Sequence, residues 1–199
     1  MTSNGQLPQR RIGLTGGIAS GKSSVGTWLK QQGISVLDAD RYAHEVLAPR
    51  TDATRAVIER YGLQVQIDTT DWIDRAALGQ IVFHNQSELR WLEQLIHPLV
   101  RQRFTKELEA HKDEPLVVLM IPLLFENGFE QLCNETWVVS CRPDQQLTRL
   151  IRRNNLDEME AKARISAQMP LTRKCELADH VIDNTRDIED LPTILAELI

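Results

Sequence analysis

The fold is decided by the stretch IGLTGGIASGKS, which occupies residues 12–23. Its apolar first part, Ile12–Thr15, is typical of a short strand that runs into a glycine-rich loop. The part that follows, Gly16–Ser23, fits the pattern G-x-x-x-x-G-K-[ST] of a nucleotide-binding P-loop. Glycines let such a loop curl until successive amide groups point at phosphate oxygens, and the helix that begins beside it adds the positive end of its dipole.

The motif predicts a set of nucleotide-binding residues. Lys22 is expected to reach the β- and γ-phosphates as a catalytic residue, because its charge faces the phosphoryl group that is transferred. The Ser23 hydroxyl is expected to ligate Mg²⁺. The predicted ligands of the nucleotide are the loop and the first helical residues: Gly17, Ile18, Ala19, Ser20, Gly21, Lys22, Ser23 and Ser24.

The residues around the motif predict an α/β core. Helical spacing continues to Leu29, Gly33 takes the position after a helix where glycine tolerates positive φ, and Ile34–Leu37 is a second apolar run. A strand, a glycine loop, a helix and a strand in this order make a βαβ unit. A last helix is predicted over Ile188–Leu198. Further strands are predicted over Leu116–Ile121, Thr136–Ser140 and His180–Asp183.

Residues 41–112 differ from the core in their pattern. Their apolar positions recur at helical spacing, and no long strand is visible among them. We therefore predict a nucleotide-binding core of residues 8–40 and 113–199, with residues 41–112 inserted in it as a helical domain.

Local signals predict where several helices begin and end. Asp74 and Ser87 are predicted N-caps inside the insertion, and Pro98 predicts a kink or a break in the helix that follows Ser87. Asp157 and Glu160 have the spacing of a capping box for a helix in the second half of the core.

Two carboxylates, Asp38 and Asp40, follow the second predicted strand. Ligands of an open parallel sheet bind outside the carboxyl ends of its strands, so both side chains are expected on the edge that carries the P-loop. One carboxylate is suited to accept a proton from a substrate hydroxyl, and the other to ligate Mg²⁺ through water. The alternative interpretation is that either aspartate caps a helix that starts near Arg41.

Three arginines, Arg149, Arg152 and Arg153, are spaced at i, i+3 and i+4, which places them on one face of a predicted helix. Small kinases close arginine-bearing lids of this kind over the triphosphate. Beside a P-loop, the lid interpretation is favoured over a merely solvated basic face.

Composition excludes several classes of protein. The chain has 199 residues and a formal net charge of −5, which is not the balance of a nonspecific nucleic-acid binder. Its 3 cysteines form no C-x-x-C pair, so neither a disulfide framework nor a tetrahedral zinc site is expected. The first residues lack the apolar core of a signal peptide, and the longest apolar run, Leu116–Phe125, is about half of a membrane span. We therefore expect a cytoplasmic protein that binds neither nucleic acid nor membrane.

Beyond the P-loop, the chain resembles the dephospho-CoA kinase family over nearly its whole length. The matching stretches are GLTGGIASGKSSV (Gly13–Val25), LDAD (Leu37–Asp40), DRAALGQIVF (Asp74–Phe83), LEQLIHPLV (Leu92–Val100), IPLLFENG (Ile121–Gly128), Q-x-x-R (Gln146–Arg149) and ADHVIDN (Ala178–Asn184). Many unrelated enzymes share a P-loop, but TGGI, DAD, IHP, PLLFE and ADxVIDN in this order are far more specific.

The resemblance implies a P-loop kinase fold, with a five-stranded parallel sheet flanked by helices. It implies that residues 41–112 bind the acceptor and that residues 145–170 form a helical lid. The implied reaction transfers the γ-phosphoryl group of ATP to the ribose 3′-hydroxyl of dephospho-CoA, which makes CoA in the last step of its synthesis. ATP and Mg²⁺ are the implied cofactors, ATP and dephospho-CoA the small-molecule partners, and a monomer or a weak homo-oligomer is expected.

The resemblance also implies roles for individual residues. Asp40 matches the proposed general base and would contact the acceptor, which leaves Asp38 as a Mg²⁺ ligand. Arg149 is the lid arginine that the resemblance covers, so it is a predicted nucleotide-binding and catalytic residue. Cationic partners are needed for the pyrophosphate of dephospho-CoA. The polar residues expected to face that acceptor are Arg75, His97 and Arg101.

Two positions depart from the pattern of the family. Ala19 stands where many members have glycine, and little damage is expected because the position need not have positive φ. No aspartate precedes Pro122 to serve as a second Mg²⁺ contact, so Asp38, Asp40 and Glu126 are all candidates for it.

Three other functions remain as alternatives. A switch GTPase needs the guanine-binding pattern N-K-x-D, and the chain contains no Asn-Lys pair. Another small-molecule or nucleoside-monophosphate kinase would share the P-loop and the lid, but not DAD together with IHP and PLLFE. A non-catalytic ATP-dependent regulator is distinguished only by an assay of ATP turnover.

Overall fold

The computed structural model describes residues 9–185 and 191–199. One sheet of five strands runs through this part of the chain: β1 (Arg10–Gly16), β2 (Ser35–Asp38), β3 (Leu116–Met120), β4 (Glu135–Ser140) and β5 (His180–Asp183). The strands pair in the order β2-β3-β1-β4-β5, and every pair is parallel. The predicted five-stranded parallel sheet is therefore confirmed, with β1 at its centre.

The α-helices of the described ranges are α1 (Lys22–Gln31), α2 (Ala39–Val46), α3 (Asp52–Tyr61), α4 (Arg75–Phe83), α5 (Gln86–Ala110), α6 (Pro143–Asn154), α7 (Glu158–Ser166), α8 (Leu171–Leu177) and α9 (Leu191–Ala196). The predicted last helix, Ile188–Leu198, falls partly on residues 186–190, which lie outside the described residues.

One face of the sheet builds the main core. Alternate strand residues such as Ile12, Leu14 and Trp137 are fully buried on that face, where α1 contributes Val25 and Leu29. Parallel strands are normally covered by helices on their faces, which is why these strands are almost continuously apolar. The packing holds α1 against β1, so the P-loop between them is anchored at both ends.

The chain divides into two compact units. The described residues of Met1–Asp38 and His111–Ile199 form the first unit, and Ala39–Ala110 form the second. The first contains the whole sheet, and the second contains α2 to α5. Among the described residues, no helix combines the length and the apolar character that a membrane span requires.

One local prediction in the second unit is wrong, and another is wrong in part. Helix α5 continues through Pro98 without the predicted break, because packing after the proline compensates for the lost backbone hydrogen bond. The residues buried beyond it are Val100, Phe104 and Leu108. Ser87 is not the N-cap of this helix, since the side chain of Asn85 accepts hydrogen bonds from the amides of Ser87 and Glu88.

Other predicted helix signals are confirmed. The Asp74 carboxylate accepts hydrogen bonds from the amides of Ala76 and Ala77 at the start of α4. Asp157 and Glu160 form a capping box at the start of α7. These signals are local, so the sequence alone was sufficient to find them.

A cluster of charged and aromatic residues joins α3 to α5 in the second unit. The Arg60 guanidinium donates two hydrogen bonds to the Glu88 carboxylate, at 2.7 and 2.9 Å, and lies 4.5 Å from the centre of the Trp91 ring. The Tyr61 hydroxyl donates to the same carboxylate at 2.6 Å. The hydrogen bonds from Arg60 and then from Tyr61 lower the pKa of Glu88 from 4.5 to about 2.

This lowered pKa predicts how the stability of the protein depends on pH. A carboxyl group whose pKa falls on folding stabilises the protein above its unfolded pKa, and that contribution is lost as the pH falls towards the folded pKa. In Glu88→Gln, the urea midpoint should therefore fall less steeply between pH 4.5 and about 2 than in the wild type. The matched control is Glu59→Gln, which removes an exposed carboxylate from the same region and should keep the wild-type slope. Equal slopes for Glu88→Gln and the wild type would contradict the assignment.

Candidate active site

The P-loop lies at the centre of the carboxyl edge of the sheet, between the end of β1 at Gly16 and the start of α1 at Lys22. Its backbone reverses at Ala19, with φ 60°, and at Gly21, with φ 105°. Alternation between right- and left-handed residues turns successive amides inward and forms a concavity that binds anions. The expectation that residue 19 need not have a positive φ is wrong, since Ala19 adopts one in the curl of the loop.

The predicted ligands at the start of α1 differ in exposure. Lys22 and Ser24 are half-buried and Ser23 is exposed. The amide of Ser24 donates to the Gly21 carbonyl at 3.0 Å, which closes the first turn of the helix. Lys22 and Ser23 are therefore the first two residues of a ten-residue helix whose positive end faces the loop.

Three carboxamide side chains from later parts of the chain hold the P-loop backbone. Ile18 is held on both of its polar groups, because its carbonyl accepts from Gln146 Nε2 at 3.0 Å and its amide donates to Gln168 Oε1 at 2.9 Å. Asn184 Nδ2 donates to the Ser20 carbonyl at 2.7 Å. Since a backbone amide only donates and a carbonyl only accepts, the orientation of all three carboxamides follows from these bonds.

The glycines of the loop make room for these carboxamides. A Cβ atom on Gly17 would lie 2.5 Å from Gln146 Nε2, and one on Gly21 would overlap Asn184 Nδ2. Gly21 also has a positive φ that other residues rarely adopt. Glycine is therefore required at both positions for the carboxamides to reach the backbone.

Asp38 and Asp40 occupy different elements, although only one residue separates them. Asp38 is the last residue of β2, pairs in register with Met120 and is half-buried on the carboxyl edge of the sheet. Asp40 lies in the first turn of α2 and is exposed. This helix begins at Ala39, earlier than the predicted start near Arg41.

The oxygen donors on this edge fit a hard divalent cation. Ser23 offers a hydroxyl and Asp38 a carboxylate, which are ligands that Mg²⁺ prefers. Within residues 9–185 and 191–199, no three acidic, histidine or cysteine side chains cluster as a metal site. Glu126, the third candidate ligand, lies 2.8 Å from the buried ammonium of Lys174.

The three predicted lid arginines lie on α6 in different environments. Arg149 is half-buried, and its Nη2 donates to the Asn184 carbonyl at 3.3 Å. Its Nη1 is buried and has no hydrogen-bond partner among the described residues. Arg152 and Arg153 are exposed. Burial raises the pKa of the adjacent Cys141 thiol, and Arg149 opposes that shift.

The predicted acceptor-binding residues all belong to the second unit. Arg75 begins α4, is exposed and donates from Nη2 to the His44 carbonyl at 2.9 Å. His97 and Arg101 are half-buried one turn apart on α5. Burial lowers the pKa of His97; the charge of Glu93 opposes this shift, and the charge of Arg101 adds to it. His97 is therefore a neutral hydrogen-bonding group near pH 7, rather than a cation.

The sequence did not reveal the role of the three carboxamides. Gln146 and Asn184 lie in recognised motifs, but nothing in those motifs indicates that they bind the P-loop backbone. Gln168 has no local signal at all, since 150 positions separate it from Ile18.

A P-loop at the centre of a parallel sheet, with Lys22 and Ser23 at the start of the next helix, defines a P-loop kinase or a related nucleotide-binding protein. The model of the dephospho-CoA kinase family matches residues 10–190. The chain therefore belongs to the dephospho-CoA kinase family, and it is a phosphotransferase of the kinase class.

Individual relatives agree with this membership. The dephospho-CoA kinase of Synechococcus sp. strain CC9605 is 62% identical over 88% of this chain and 85% of its own length. That of Synechococcus sp. strain CC9902 is 54% identical over 100% of both chains. The solved structure of dephospho-CoA kinase from Campylobacter jejuni is 28% identical and superposes with a TM-score of 0.71, over 94% of each chain.

The close approach of the Asn184 side chain to Gly21 predicts the effect of replacing Gly21 by alanine. Gly21→Ala should displace Asn184 from the Ser20 carbonyl and strain the backbone, which lowers the free energy of unfolding by about 2–3 kcal/mol. The affinity for ATP should fall about tenfold or more, since the loop loses its shape. Urea unfolding and calorimetric titration with ATP measure the two effects.

Gly33→Ala is the matched control for backbone strain. Gly33 has φ 80°, and a Cβ atom there meets nothing within 4 Å. This variant should lose about 1–2 kcal/mol of stability and keep its affinity for ATP. If Gly21→Ala binds ATP as tightly as Gly33→Ala does, the Asn184 contact does not shape the nucleotide site.

Proposed function

We propose that the chain transfers the γ-phosphoryl group of ATP to the ribose 3′-hydroxyl of dephospho-CoA, with CoA and ADP as products. The observation that carries this proposal is the match of the dephospho-CoA kinase family over residues 10–190, on a fold whose P-loop has the geometry of a phosphate site. Relatives of the same name cover most or all of the chain. The γ-phosphoryl donor and the hydroxyl acceptor are assigned to different parts of the chain below.

The triphosphate of ATP is assigned to the P-loop. The curl of the loop and the positive end of α1 stabilise its negative charge. The amides of Ile18, Ser20 and Ser24 donate within the protein and hold that curl. Lys22 interacts with the β- and γ-phosphates, and charge that develops during transfer is stabilised by the same group. Arg149 donates to the carbonyl of Asn184, the residue whose side chain holds the P-loop, which makes it the lid group best placed to donate to the nucleotide.

Mg²⁺ is assigned to the Ser23 hydroxyl, with Asp38 as a contact made directly or through water. When bound, the ion neutralises charge on the phosphate oxygens. Ser23 and Asp38 are the residues that would hold the ion on this edge. The half-buried position of Asp38 at the end of β2 holds its carboxylate on the edge where the P-loop lies.

Asp40 is assigned as the general base. A ribose hydroxyl is a weak nucleophile at neutral pH, so a carboxylate that accepts its proton as the new phosphate ester forms assists the reaction. The exposure of Asp40 in the first turn of α2 supports this role, since a carboxylate that served only as a buried cap could not meet a substrate. Because phosphoryl transfer is loose, part of the benefit is positioning of the hydroxyl.

Residues 41–112 are assigned to dephospho-CoA and residues 145–170 to a lid over ATP. Arg75 and Arg101 supply the positive charge that the pyrophosphate of the acceptor needs, and the neutral His97 supplies a hydrogen bond. The two short helices of the lid, α6 and α7, meet at Asn155, whose left-handed backbone ends α6. Closure over bound ATP would exclude water from the reaction.

The decisive assay is release of ADP from ATP with and without dephospho-CoA, with the phosphorylated product identified by mass spectrometry. The proposal expects ADP release to depend on dephospho-CoA and to match CoA formation one to one. Equal ADP release without the acceptor, or release that depends instead on a nucleoside monophosphate, would contradict it.

The separate roles of Asp38 and Asp40 predict different variant kinetics. Asp40→Asn keeps the size and one acceptor oxygen but loses the charge, so kcat should fall by about two orders of magnitude or more while the Kd for ATP changes little. Asp38→Asn should weaken binding of Mg²⁺ and ATP more than it lowers kcat at saturating Mg²⁺. Measuring kcat and the Kd for ATP in both variants decides the assignment, which is reversed if Asp38→Asn loses kcat and Asp40→Asn keeps it.

A further inference from the structure

Lys174, on α8, has a fully buried side chain, which is rare for a lysine. None of its side chain is exposed, and its Nζ lies 2.8 Å from Oε1 of Glu126, whose side chain is 19% exposed. The same Nζ donates to the Pro122 carbonyl at 2.9 Å. Because removing two charges from water costs about as much free energy as their attraction returns, net stabilisation does not explain such a pair.

On one side, this ion pair is connected to the start of the P-loop. The Pro122 carbonyl that accepts from Lys174 also accepts a hydrogen bond from the Thr15 hydroxyl at 3.0 Å. Thr15 is fully buried in β1, one residue before the strand ends at Gly16. The last turn of α8, the segment after β3 and the end of β1 therefore meet at one carbonyl oxygen.

On its other side, the ion pair is connected to the tip of the P-loop. The Glu126 carboxylate accepts a hydrogen bond from the Met169 amide at 3.1 Å through the same Oε1 atom that faces Lys174. Met169 directly follows Gln168, whose side chain accepts from the Ile18 amide. Because Met169 directly follows Gln168, holding the Met169 backbone also fixes the position of the Gln168 Cα atom. The Gln168 side chain therefore reaches the Ile18 amide from a fixed point.

We propose that the Glu126–Lys174 ion pair is a positioning element for the phosphate site. It holds the segment before α8 so that Gln168 keeps the Ile18 amide, and with it the curl of the P-loop, in the shape that binds ATP. This proposal extends the proposed function, and the one thing it takes from that function is that ATP is the nucleotide bound by the P-loop. Glu126 then serves the site through the protein groups that its Oε1 atom holds.

Two variants interrupt this connection at different points. Gln168→Met keeps the length of the side chain but removes the acceptor for the Ile18 amide. The double variant Glu126→Leu/Lys174→Met removes the ion pair without leaving an unpaired buried charge, which is the change that would unfold the protein. Each should raise the Kd for ATP about tenfold, while the KM for dephospho-CoA stays within about twofold of the wild type.

The triple variant, which combines all three changes, tests whether the ion pair acts on the P-loop through Gln168. If both act through Ile18, its Kd for ATP should be close to that of the weaker-binding component, and not the product of two tenfold losses. A multiplied loss of about a hundredfold would mean that the ion pair and Gln168 act independently, and the proposal would be wrong. Arg173→Met removes the neighbouring cation of α8, which is exposed and paired with Glu176, and should leave the Kd for ATP unchanged.

Folding of the variants is followed by urea unfolding, so that a loss of binding is compared among folded proteins only. Gln168 is half-buried, so Gln168→Met tests the proposal even if the double variant does not fold. A folded Gln168→Met that binds ATP as the wild type does would overturn the proposal. If the wild type binds ATP but leaves dephospho-CoA unmodified, the proposed function fails, and the titrations with ATP still decide this inference.

Discussion

The nucleotide site depends on a P-loop conformation that includes a left-handed alanine, which is unfavourable for an L-residue. Ala19 adopts a left-handed conformation, which costs an L-residue about 1–2 kcal/mol. Each of the three hydrogen bonds to Ile18 and Ser20 contributes about 0.5–1.5 kcal/mol, so together they are large enough to offset that cost. The loop is thus shaped from outside, by side chains that belong to later elements.

This dependence explains why the second half of the chain is part of the nucleotide site although it contains no P-loop residue. Gln146 on α6, Gln168 before α8 and Asn184 after β5 all reach the same loop. The parallel sheet makes their convergence possible, because β1 lies at its centre and the carboxyl ends of its strands share one edge. Arg149, which donates to the Asn184 carbonyl, connects the predicted lid to the same set of residues.

The sequence predicted features that depend on neighbouring residues and missed those that depend on distant ones. The P-loop, the strand segments and the capping box of Asp157 follow from local patterns, and the resemblance to the family implies the five-stranded parallel sheet; the structure confirms all of them. The unbroken passage of α5 through Pro98 depends on tertiary packing, and the positive φ of Ala19 depends on the curl of the whole loop. The contact of Gln168 with Ile18 joins positions 150 residues apart, and a single sequence contains no pattern that indicates it.

The nucleotide site depends on the shape that the P-loop has before nucleotide binds, and the exchange rate of the Ile18 amide proton measures that shape most directly. Nuclear magnetic resonance can follow this amide in the protein without ATP, in the wild type and in Gln168→Met. Because Gln168 accepts from the amide, exchange in the wild type should be at least about tenfold slower than in an unstructured peptide, and Gln168→Met should remove that protection. An Ile18 amide that exchanges at the unprotected rate in the wild type would contradict the account.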